Sequence, residues 1–517
     1  MGDIVPFVMV VLAIIGIVVA AEIGTLALLS VTGIAIVTLL VLLAPSFGAE
    51  RPDIALFLIV PTMISASQNV YLSFVAEHIE GAELQLVVIV NFIYSAALYL
   101  VLLLRDDPKM DPARTQLYRK VTVYLAVLIS YGLVTVVLFR TEPIAALASA
   151  RNIAAPLLFF LVGIHASRIV CLKNYLRYLV WLGILAISFG FLESNTPDFW
   201  QTIGLQTLWE NKGIPISPGT GLPGNFYASE QIDGQFIRRM VGPFADPVNF
   251  GTFLFSVFMA AWFLKKRAAV LVVIVASVLT VSKGAFLGML VLAAFWTRYF
   301  ASRTVHVLAI MSVAVTGMLF YGFTLTSSTG STTAHINGFF AAFIELPAHP
   351  LGRGMGGTGV LAGLFSEGSE STSAITESGI GMILGQLGVI GFAVYVAFFV
   401  VLSKYAHRIQ DTRQKLLACG LLYGFILNAA FNEVALSPNS SATYFIILGL
   451  VIGADLVGRE AVITKTGGTV SPTNPWMSGR AARSPAFRAT RQNRVLEETR
   501  SRATGPSEDA DFPPKDL

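Results

Sequence analysis

The chain has 517 residues, of which 55% are hydrophobic and only 13% are charged, and its formal net charge is +4. This balance excludes an ordinary soluble globular domain, in which about 25% of residues are charged. Because crossing about 30 Å of hydrocarbon takes about 20 apolar residues, the apolar runs predict an all-α polytopic integral membrane protein with about 12–14 transmembrane helices.

Basic residues predict which helix ends face the cytoplasm, because Lys and Arg favour short cytoplasmic connections. They recur in alternate connections, at 105–120, 167–177, 265–267, 297–303 and 403–415. The segment 458–517 is rich in arginine, proline, serine and glycine, and we interpret it as a disordered basic cytoplasmic tail.

Two long polar segments, 194–247 and 323–376, fall on the opposite side. Connections longer than about 15 residues are usually functional or disordered. Within the second segment, the stretch INGFFAAFIEL has apolar residues at helical spacing, which predicts an amphipathic helix lying on the bilayer surface.

Two arginines, Arg238 and Arg239, precede the proline-bracketed turn GPFADP. Planar guanidinium groups match phosphate oxygens bidentately, so either arginine is a candidate for phosphate binding. The alternative is an arginine that anchors a helix end by reaching to the membrane interface.

Lys283 lies in the stretch LTVSKGAFLGML, between two apolar runs so close together that they must form a tight hairpin. The alternation of basic connections places it on the non-cytoplasmic side, against the usual bias. An ionisable group held there is costly, which makes Lys283 a functional candidate, with an interfacial anchor as the alternative.

The stretch LPAHPLGRGMGGTG, residues 346–359, combines Arg353 with closely spaced glycines. Glycine amides can approach a ligand closely and form an anion-binding nest, although this stretch matches no phosphate-binding fingerprint. Glu377 comes just before the next apolar run, where a carboxylate either caps a helix or serves as a general base.

The two cysteines, Cys171 and Cys419, lie beside separate apolar runs without the paired spacing of a zinc site or a redox pair. We interpret both as packing residues.

Three stretches in chain order resemble the O-antigen ligase and polymerase superfamily of bacterial membrane glycosyltransferases. They are an arginine before GPFADPVNFGTFL, the stretch LTVSKGAFLGML, and HPLGRGMGG followed by ESGIGMILGQLGVIGF. The resemblance implies a GT-C-type membrane fold with a large periplasmic loop. In this interpretation residues 1–150 are N-terminal transmembrane helices and residues 151–457 form the catalytic membrane domain.

The resemblance also implies the site. The expected diphosphate-binding residues are Arg238, Arg239, Lys283 and Arg353. Glu377 stands where ligases usually carry a histidine, and His335 is a second candidate base because histidine titrates near neutral pH. Lys283 stands where the family usually has arginine, which keeps the charge but loses the bidentate fork. No metal, cofactor or nucleotide sugar is implied.

We therefore predict a polysaccharide polymerase that joins undecaprenyl-diphosphate-linked oligosaccharide units on the periplasmic face of a bacterial inner membrane. The alternatives are a ligase of the same fold and a flippase or other transporter of lipid-linked oligosaccharides. A transporter typically has internal repeats and charges near the membrane midplane, and the sequence shows no repeat and carries its charge mostly at one face. Membrane lipids, a chain-length regulator and export proteins are the expected partners, and nucleic acid is not.

Overall fold

The computed structural model describes residues 58–59, 62–63, 66–74, 76–78, 112–196, 198–211, 216–217, 220–232, 235–327, 331–359 and 377–465. The chain divides into two units, Met1–Glu460 and Ala461–Leu517. Most of the helices predicted within 1–150 and nearly all of the tail 458–517 lie outside the described residues, so those predictions stay predictions.

Fourteen α-helices, four short 3-10 helices and four short strands make up the regular structure of this described part. The helices are α1 (Gln68–Ser73), α2 (Pro112–Phe139), α3 (Pro143–Ala166), α4 (Leu172–Asn195), α5 (Phe199–Thr202), α6 (Leu205–Asn211), α7 (Pro247–Phe263), α8 (Arg267–Leu279), α9 (Lys283–Phe300), α10 (Arg303–Ser327), α11 (Ser331–Glu345), α12 (Gly379–Arg408), α13 (Thr412–Phe431) and α14 (Pro438–Lys465). The strands are β1 (Ile216–Ser217), β2 (Leu222–Pro223), β3 (Tyr227–Ile232) and β4 (Gln235–Arg238), which form two separate antiparallel hairpins.

Six of the described helices are long and apolar enough to cross a membrane: α2, α3, α4, α12, α13 and α14. Shorter apolar helices occur at Pro247–Phe263, Arg267–Leu279, Arg303–Leu319 and Ile336–Glu345. The prediction of a mostly helical, polytopic membrane protein is therefore confirmed. The total of about 12–14 spans and the GT-C-type fold stay predictions.

Helices α3 and α14 lie at the centre of the bundle, and most residues of both are buried. They meet at Gly163 and Gly449, where a Cβ atom on either residue would collide with the backbone of the other helix. Small residues at such a crossing let two helix backbones pack closely, and this close packing holds membrane helices together where lipid supplies no hydrophobic driving force.

Consecutive long helices alternate in direction, so the connections 140–142, 196–246, 280–282 and 432–437 share one end of the bundle, which we call the site end. Contacts between them support this placement. The amide of Met240 donates to the carbonyl of Leu279 at 3.0 Å, and the hydroxyl of Ser437 donates to Oδ1 of Asn249 at 3.0 Å. The basic connections near 167–171, 264–266 and 409–411 fall at the opposite, basic end.

The segment 194–247 folds into a small cap at the site end. Helices α5 and α6 and both hairpins enclose a core that includes Trp200, Leu208 and Phe226. Tyr71 and Leu72 of α1 complete this core, although they come from a distant part of the sequence. The described residues of this long polar segment therefore pack around a core formed by their own apolar side chains and those of α1.

Helix α11 contains the stretch that predicted a helix on the bilayer surface. The helix is present, but it runs alongside the first half of α12 instead. Gly338 adjoins Gly381 near the start of α12, and the rings of Phe343 and Phe392 lie 5.8 Å apart further along it. The surface placement is therefore wrong, because the apolar stripe packs against another helix.

The glycine-rich turn 350–357 returns the chain from α11 and docks into a break in α12. Gly388 has φ 56° and ψ −153°, which interrupts the helix. The amide of Arg353 donates to the carbonyl of Gly385 at 2.8 Å, and that of Gly354 donates to the carbonyl of Gln386 at 3.1 Å. The amide of Val389 donates to the carbonyl of Pro350 at 3.0 Å. The turn thus supplies partners for backbone groups that a broken helix leaves unpaired.

The sequence prediction for the cysteines is half right. Cys419 is buried in α13, whereas Cys171 is exposed at the start of α4. The predicted packing role is therefore wrong for Cys171, because this residue lies in the connection between α3 and α4 rather than within the bundle.

We expect Gly388→Ala to destabilise the protein strongly. A non-glycine residue in this backbone region costs about 1–3 kcal/mol, and a Cβ atom would also collide with the carbonyl of Pro350. Gly317→Ala is the matched control, because nothing lies within 4 Å of its Cβ position in α10, and alanine in a helix is about 0.5–1 kcal/mol better than glycine. Thermal unfolding of the two purified variants in detergent measures the difference, and equal melting temperatures would contradict the role of the break.

The alternation of helix directions can be tested by cysteine labelling in a Cys171→Ser background. Thr202 is exposed in the cap and Lys266 is exposed at the basic end. We expect a membrane-impermeant maleimide to label Thr202→Cys in intact cells and Lys266→Cys only after permeabilisation, because basic connections stay in the cytoplasm. Labelling of both positions from the same side would overturn the topology.

Candidate functional site

A polar cluster lies at the site end, and its first member is Arg239. The Nε atom of Arg239 donates to the carbonyl of Thr280 at 2.9 Å, and Nη2 donates to the carbonyl of Val281 at 3.4 Å. Val281 has a positive φ of 48°, and Ser282 caps α9 by accepting from the amide of Ala285 at 3.4 Å. A three-residue turn joins α8 and α9, but these two helices pack on other helices rather than on each other, so the predicted tight hairpin is confirmed only as a tight turn. Arg239 is fixed to this turn.

Lys283 is the first residue of α9, directly after this turn. Helix α9 packs antiparallel to α13, with Gly284 against Asn428 and Gly288 against Gly424. This antiparallel pairing places Lys283, at the start of α9, near the level at which α13 ends at Phe431. Arg239 and Lys283, the two cations predicted from the sequence, therefore meet at the same turn: Arg239 bonds to it and Lys283 directly follows it.

Glu433 is a cluster member that the sequence analysis missed. It begins the short 3-10 helix Glu433–Leu436 between α13 and α14 and is only 4% exposed. Its carboxylate lies against Gly359, where a Cβ atom would be 3.0 and 3.1 Å from the two oxygens. The glycine-rich segment therefore reaches the site end at its last described residue.

Glu377 lies near the connection between α13 and α14, which carries Glu433. The neighbouring Ser378 is the cap of α12: its hydroxyl accepts from the amide of Gly381 at 2.9 Å and donates to the carbonyl of Ala430 at 2.6 Å. Because Ser378 already caps the helix, capping does not account for Glu377, which is half-buried. Glu377 and Glu433 thus come from neighbouring segments to the same level of the bundle.

Arg238 is committed to an ion pair with Glu193, near the end of α4. Nη2 of Arg238 lies 3.0 Å from Oε2 of Glu193, whose side chain is fully buried. The guanidinium also lies 4.8 Å from the ring centre of Phe226 and donates to the carbonyl of Arg239 at 2.7 Å. Burial lowers the pKa of Arg238 and the Glu193 carboxylate opposes this shift. Of the two adjacent arginines, Arg239 is the one that contacts the turn before Lys283.

Glu193 also fixes the backbone around Arg239. Its Oε1 atom accepts from the amides of Val241 at 2.8 Å and Gly242 at 3.3 Å, and its Oε2 atom accepts from Nε1 of Trp200 at 2.8 Å. An acidic residue near the end of an apolar run is a detectable sequence signal. Its four donors come from residues that follow it in sequence, and their convergence could not be predicted from spacing.

Asp246 holds the start of α7 in the turn that follows Arg239. Its carboxylate accepts from the amides of Val248 and Asn249, both at 3.2 Å. Burial raises the pKa of Asp246, while these hydrogen bonds and the nearby charge of Arg239 lower it. We assign Asp246 a positioning role, because its oxygens are occupied by the helix cap.

Arg353 lies apart from the cluster, paired with Glu345 at 2.6 Å. The glycine turn around it does not form the anion-binding nest that the sequence allowed. Its amides from Gly352 to Gly357 donate to the carbonyl and side-chain oxygens of His349, Gly385, Gln386, Thr135 and Gly354. The glycines therefore serve close packing, and the amides are not directed at a ligand.

The second candidate base, His335, lies in the first two turns of α11. Its role stays a prediction. Among the residues that the structure describes, no group of three His, Cys, Asp or Glu side chains is placed to hold a metal ion.

No model of a known protein family matches the sequence, and no curated protein matches it either. The likeness to the O-antigen ligase and polymerase superfamily stays a resemblance of three motifs.

We expect Glu193→Gln to loosen the cap and the backbone around Arg239. Removing one partner of a buried ion pair costs about 3–5 kcal/mol, and the lower end applies because Arg238 keeps 26% of its side chain exposed. The fluorescence of Trp200 and the protease sensitivity of the cap report the change. Glu210→Gln is the matched control, since Glu210 is an exposed cap carboxylate that accepts only from Gln206 at 2.8 Å among the described contacts. Equal effects of the two substitutions would contradict the prediction.

Proposed function

We propose that the protein is a membrane glycosyltransferase, a polysaccharide polymerase that joins undecaprenyl-diphosphate-linked oligosaccharide units on the periplasmic face of a bacterial inner membrane. One observation carries the proposal. Arg239, Lys283, Glu377 and Glu433 come from separate segments to one end of an apolar helical bundle, beside an ordered cap. Two cations and two carboxylates at the same end of an apolar bundle suit a reaction on a lipid-linked diphosphate.

The cations would stabilise the leaving diphosphate. Arg239 supplies a planar group suited to phosphate oxygens, and Lys283 supplies a point charge at the first turn of α9. The N-terminus of a helix attracts anions through its aligned amides, which adds to the effect of the side chain. Interactions that strengthen as charge develops on the leaving group lower the barrier of the chemical step.

A carboxylate would activate the acceptor. In this proposal Glu377 removes the proton from a sugar hydroxyl of the incoming unit while the hydroxyl oxygen attacks the anomeric carbon of the donor chain. The bond from that carbon to the diphosphate oxygen breaks, and its electron pair leaves with the diphosphate. Glu433 is too buried to reach a bulky acceptor directly and would orient the neighbouring groups. His335 is the alternative base.

We expect Lys283→Ala and Arg239→Ala to abolish polymer in cells while the protein level stays near that of wild type. Removing one preorganised donor to a developing charge typically slows a reaction by about 100–1000-fold. Lys283→Arg should retain more activity than Lys283→Ala because it keeps the charge. Lys266→Ala, at the basic end, is the matched control and should leave polymer unchanged. Full activity of the site-end alanine variants would reduce both residues to membrane anchors.

The base is tested by Glu377→Gln, which keeps the shape and removes the basicity. We expect this variant to accumulate single repeat units on the lipid carrier, as a polymerase defect requires. Accumulation of long unattached polymer would instead identify a ligase. Normal polymer from Glu377→Gln together with its loss in His335→Ala would transfer the role to His335.

A further inference from the structure

Helix α2 begins at the basic end of the bundle. It ends at Phe139, directly before the connection 140–142 at the site end, so its first turns lie at the opposite end. The ring centres of Tyr118 in α2 and His165 near the end of α3 lie 6.2 Å apart. A contact between side chains thus agrees with the direction that the chain order gives.

The exposed side chains of α2 place the apolar layer along this helix. Lys120 and Arg140 are both exposed, and at 1.5 Å per residue they lie about 30 Å apart, which is the thickness of the hydrocarbon layer. No charged residue occurs between them. The large hydrophobic side chains exposed over this length are Val123, Val127, Leu133, Val134, Val137, Leu138 and Phe139. The boundary of the layer at the basic end therefore lies near Lys120.

A groove opens on α2 at this boundary. Its volume is ≈ 480 Å³, and pockets that hold small molecules typically have about 300–1,000 Å³. The residues of α2 that line it include Thr115, Gln116, Arg119, Lys120, Val123 and Tyr124. Because they recur three and four positions apart, they share one face of the helix.

The first part of the groove is positively charged. Arg119 and Lys120 are exposed, and the described contacts include no ion pair for either of them, in contrast to Arg238 and Arg353. Helix α2 itself contains no acidic residue. The planar fork of arginine and the ammonium group of lysine both suit phosphate oxygens, and the exposed amide of Gln116 adds a further donor. This part of the groove therefore favours an anion.

The groove becomes apolar one helical turn further into the layer. Val123 is 56% exposed, and the next residue, Tyr124, is half-buried. Tyrosine is common at membrane interfaces because its ring is apolar and its hydroxyl is polar. A ligand that fits both parts carries an anionic group with an apolar chain directly beside it. This description fits a phospholipid better than a free inorganic anion.

We propose that this groove binds an anionic phospholipid from the leaflet at the basic end. The phosphodiester accepts hydrogen bonds from Arg119 and Lys120, and an acyl chain lies along Val123 and Val127. Basic residues next to a transmembrane helix attract anionic lipids. A choline head group is disfavoured, because its own cation would lie close to Arg119 and Lys120. The inference rests on α2 and is independent of sugar transfer.

Lipid retention measured by native mass spectrometry on the purified full-length protein tests the groove. Dioleoyl phosphatidylglycerol is the probe, and dioleoyl phosphatidylcholine is the comparison without net charge. We expect the double variant Arg119→Gln/Lys120→Gln to lower retention of phosphatidylglycerol by about tenfold or more, because two charge-assisted contacts are lost. Lys173→Gln/Arg177→Gln is the matched control. It removes the same charge from exposed positions of α4 at the same end and should leave retention unchanged.

A second variant separates a shaped groove from general attraction between charges. Val123→Trp fills the groove while keeping both cations, so we expect it to lower retention of phosphatidylglycerol as well. It also tests the groove if the double variant is unstable. Normal retention in Val123→Trp, or equal losses in the two double variants, would overturn the inference.

The choice of lipid has its own test on the wild-type protein. We expect phosphatidylglycerol to be retained more strongly than phosphatidylcholine, and inorganic phosphate at the same concentration to leave it bound. Equal retention of the two phospholipids would reject an anion-selective groove. Displacement by inorganic phosphate, or stronger retention of undecaprenyl phosphate than of phosphatidylglycerol, would reject the assignment to a phospholipid.

Discussion

The architecture depends on one constraint: a backbone amide or carbonyl taken into an apolar layer must find its partner within the protein. Helix α12 breaks at Gly388, and a break of this kind leaves polar groups without helical partners. The glycine-rich turn satisfies them through the bonds to Gly385, Gln386 and Val389. The glycine-rich turn and the break in α12 would each be unfavourable alone in hydrocarbon. Each therefore supplies hydrogen-bond partners for the backbone groups of the other.

The pairing between the glycine-rich turn and α12 also connects the membrane helices with the polar cluster. Buried Gln386 accepts from the amide of Gly356 at 3.1 Å and donates to Ser149 of α3 at 3.2 Å. From there the turn continues to Gly359, against the carboxylate of Glu433. The position of the Glu433 carboxylate thus depends on backbone pairing several residues away, and dense packing at the glycines leaves little room for rearrangement.

Much of the described fold could be predicted from apolar periodicity and the basic connections. The mostly helical architecture with apolar membrane-crossing helices is confirmed, and so is the tight turn before Lys283, because short polar interruptions between apolar runs leave few other geometries. The amphipathic pattern of α11 was misplaced, since an apolar stripe fits a bilayer surface and a neighbouring helix equally well. Distinguishing the two requires knowing that Phe339 meets Phe431 of α13, with ring centres 6.0 Å apart, and sequence spacing carries no such information.

The candidate site was only partly predictable for a related reason. Arg239 and Lys283 stood out because charge is rare in apolar surroundings and because their motifs resemble a known family. Glu433 follows an apolar run like many interfacial carboxylates, and its contact with the returning glycine segment at Gly359 could not be predicted from sequence spacing. Arg238 and Arg239 are adjacent and chemically identical, so their different partners follow from the buried Glu193 rather than from the motif.

The contact between Gly163 and Gly449 has a consequence for biogenesis. These glycines are separated by more than half of the chain, yet they join the two central helices of the bundle. During synthesis α3 must enter the membrane long before its partner leaves the ribosome, and contacts of such high sequence separation form late. The tightly packed centre therefore closes last, and until α14 arrives the inserted helices form a looser assembly that quality-control proteases can distinguish from the finished protein.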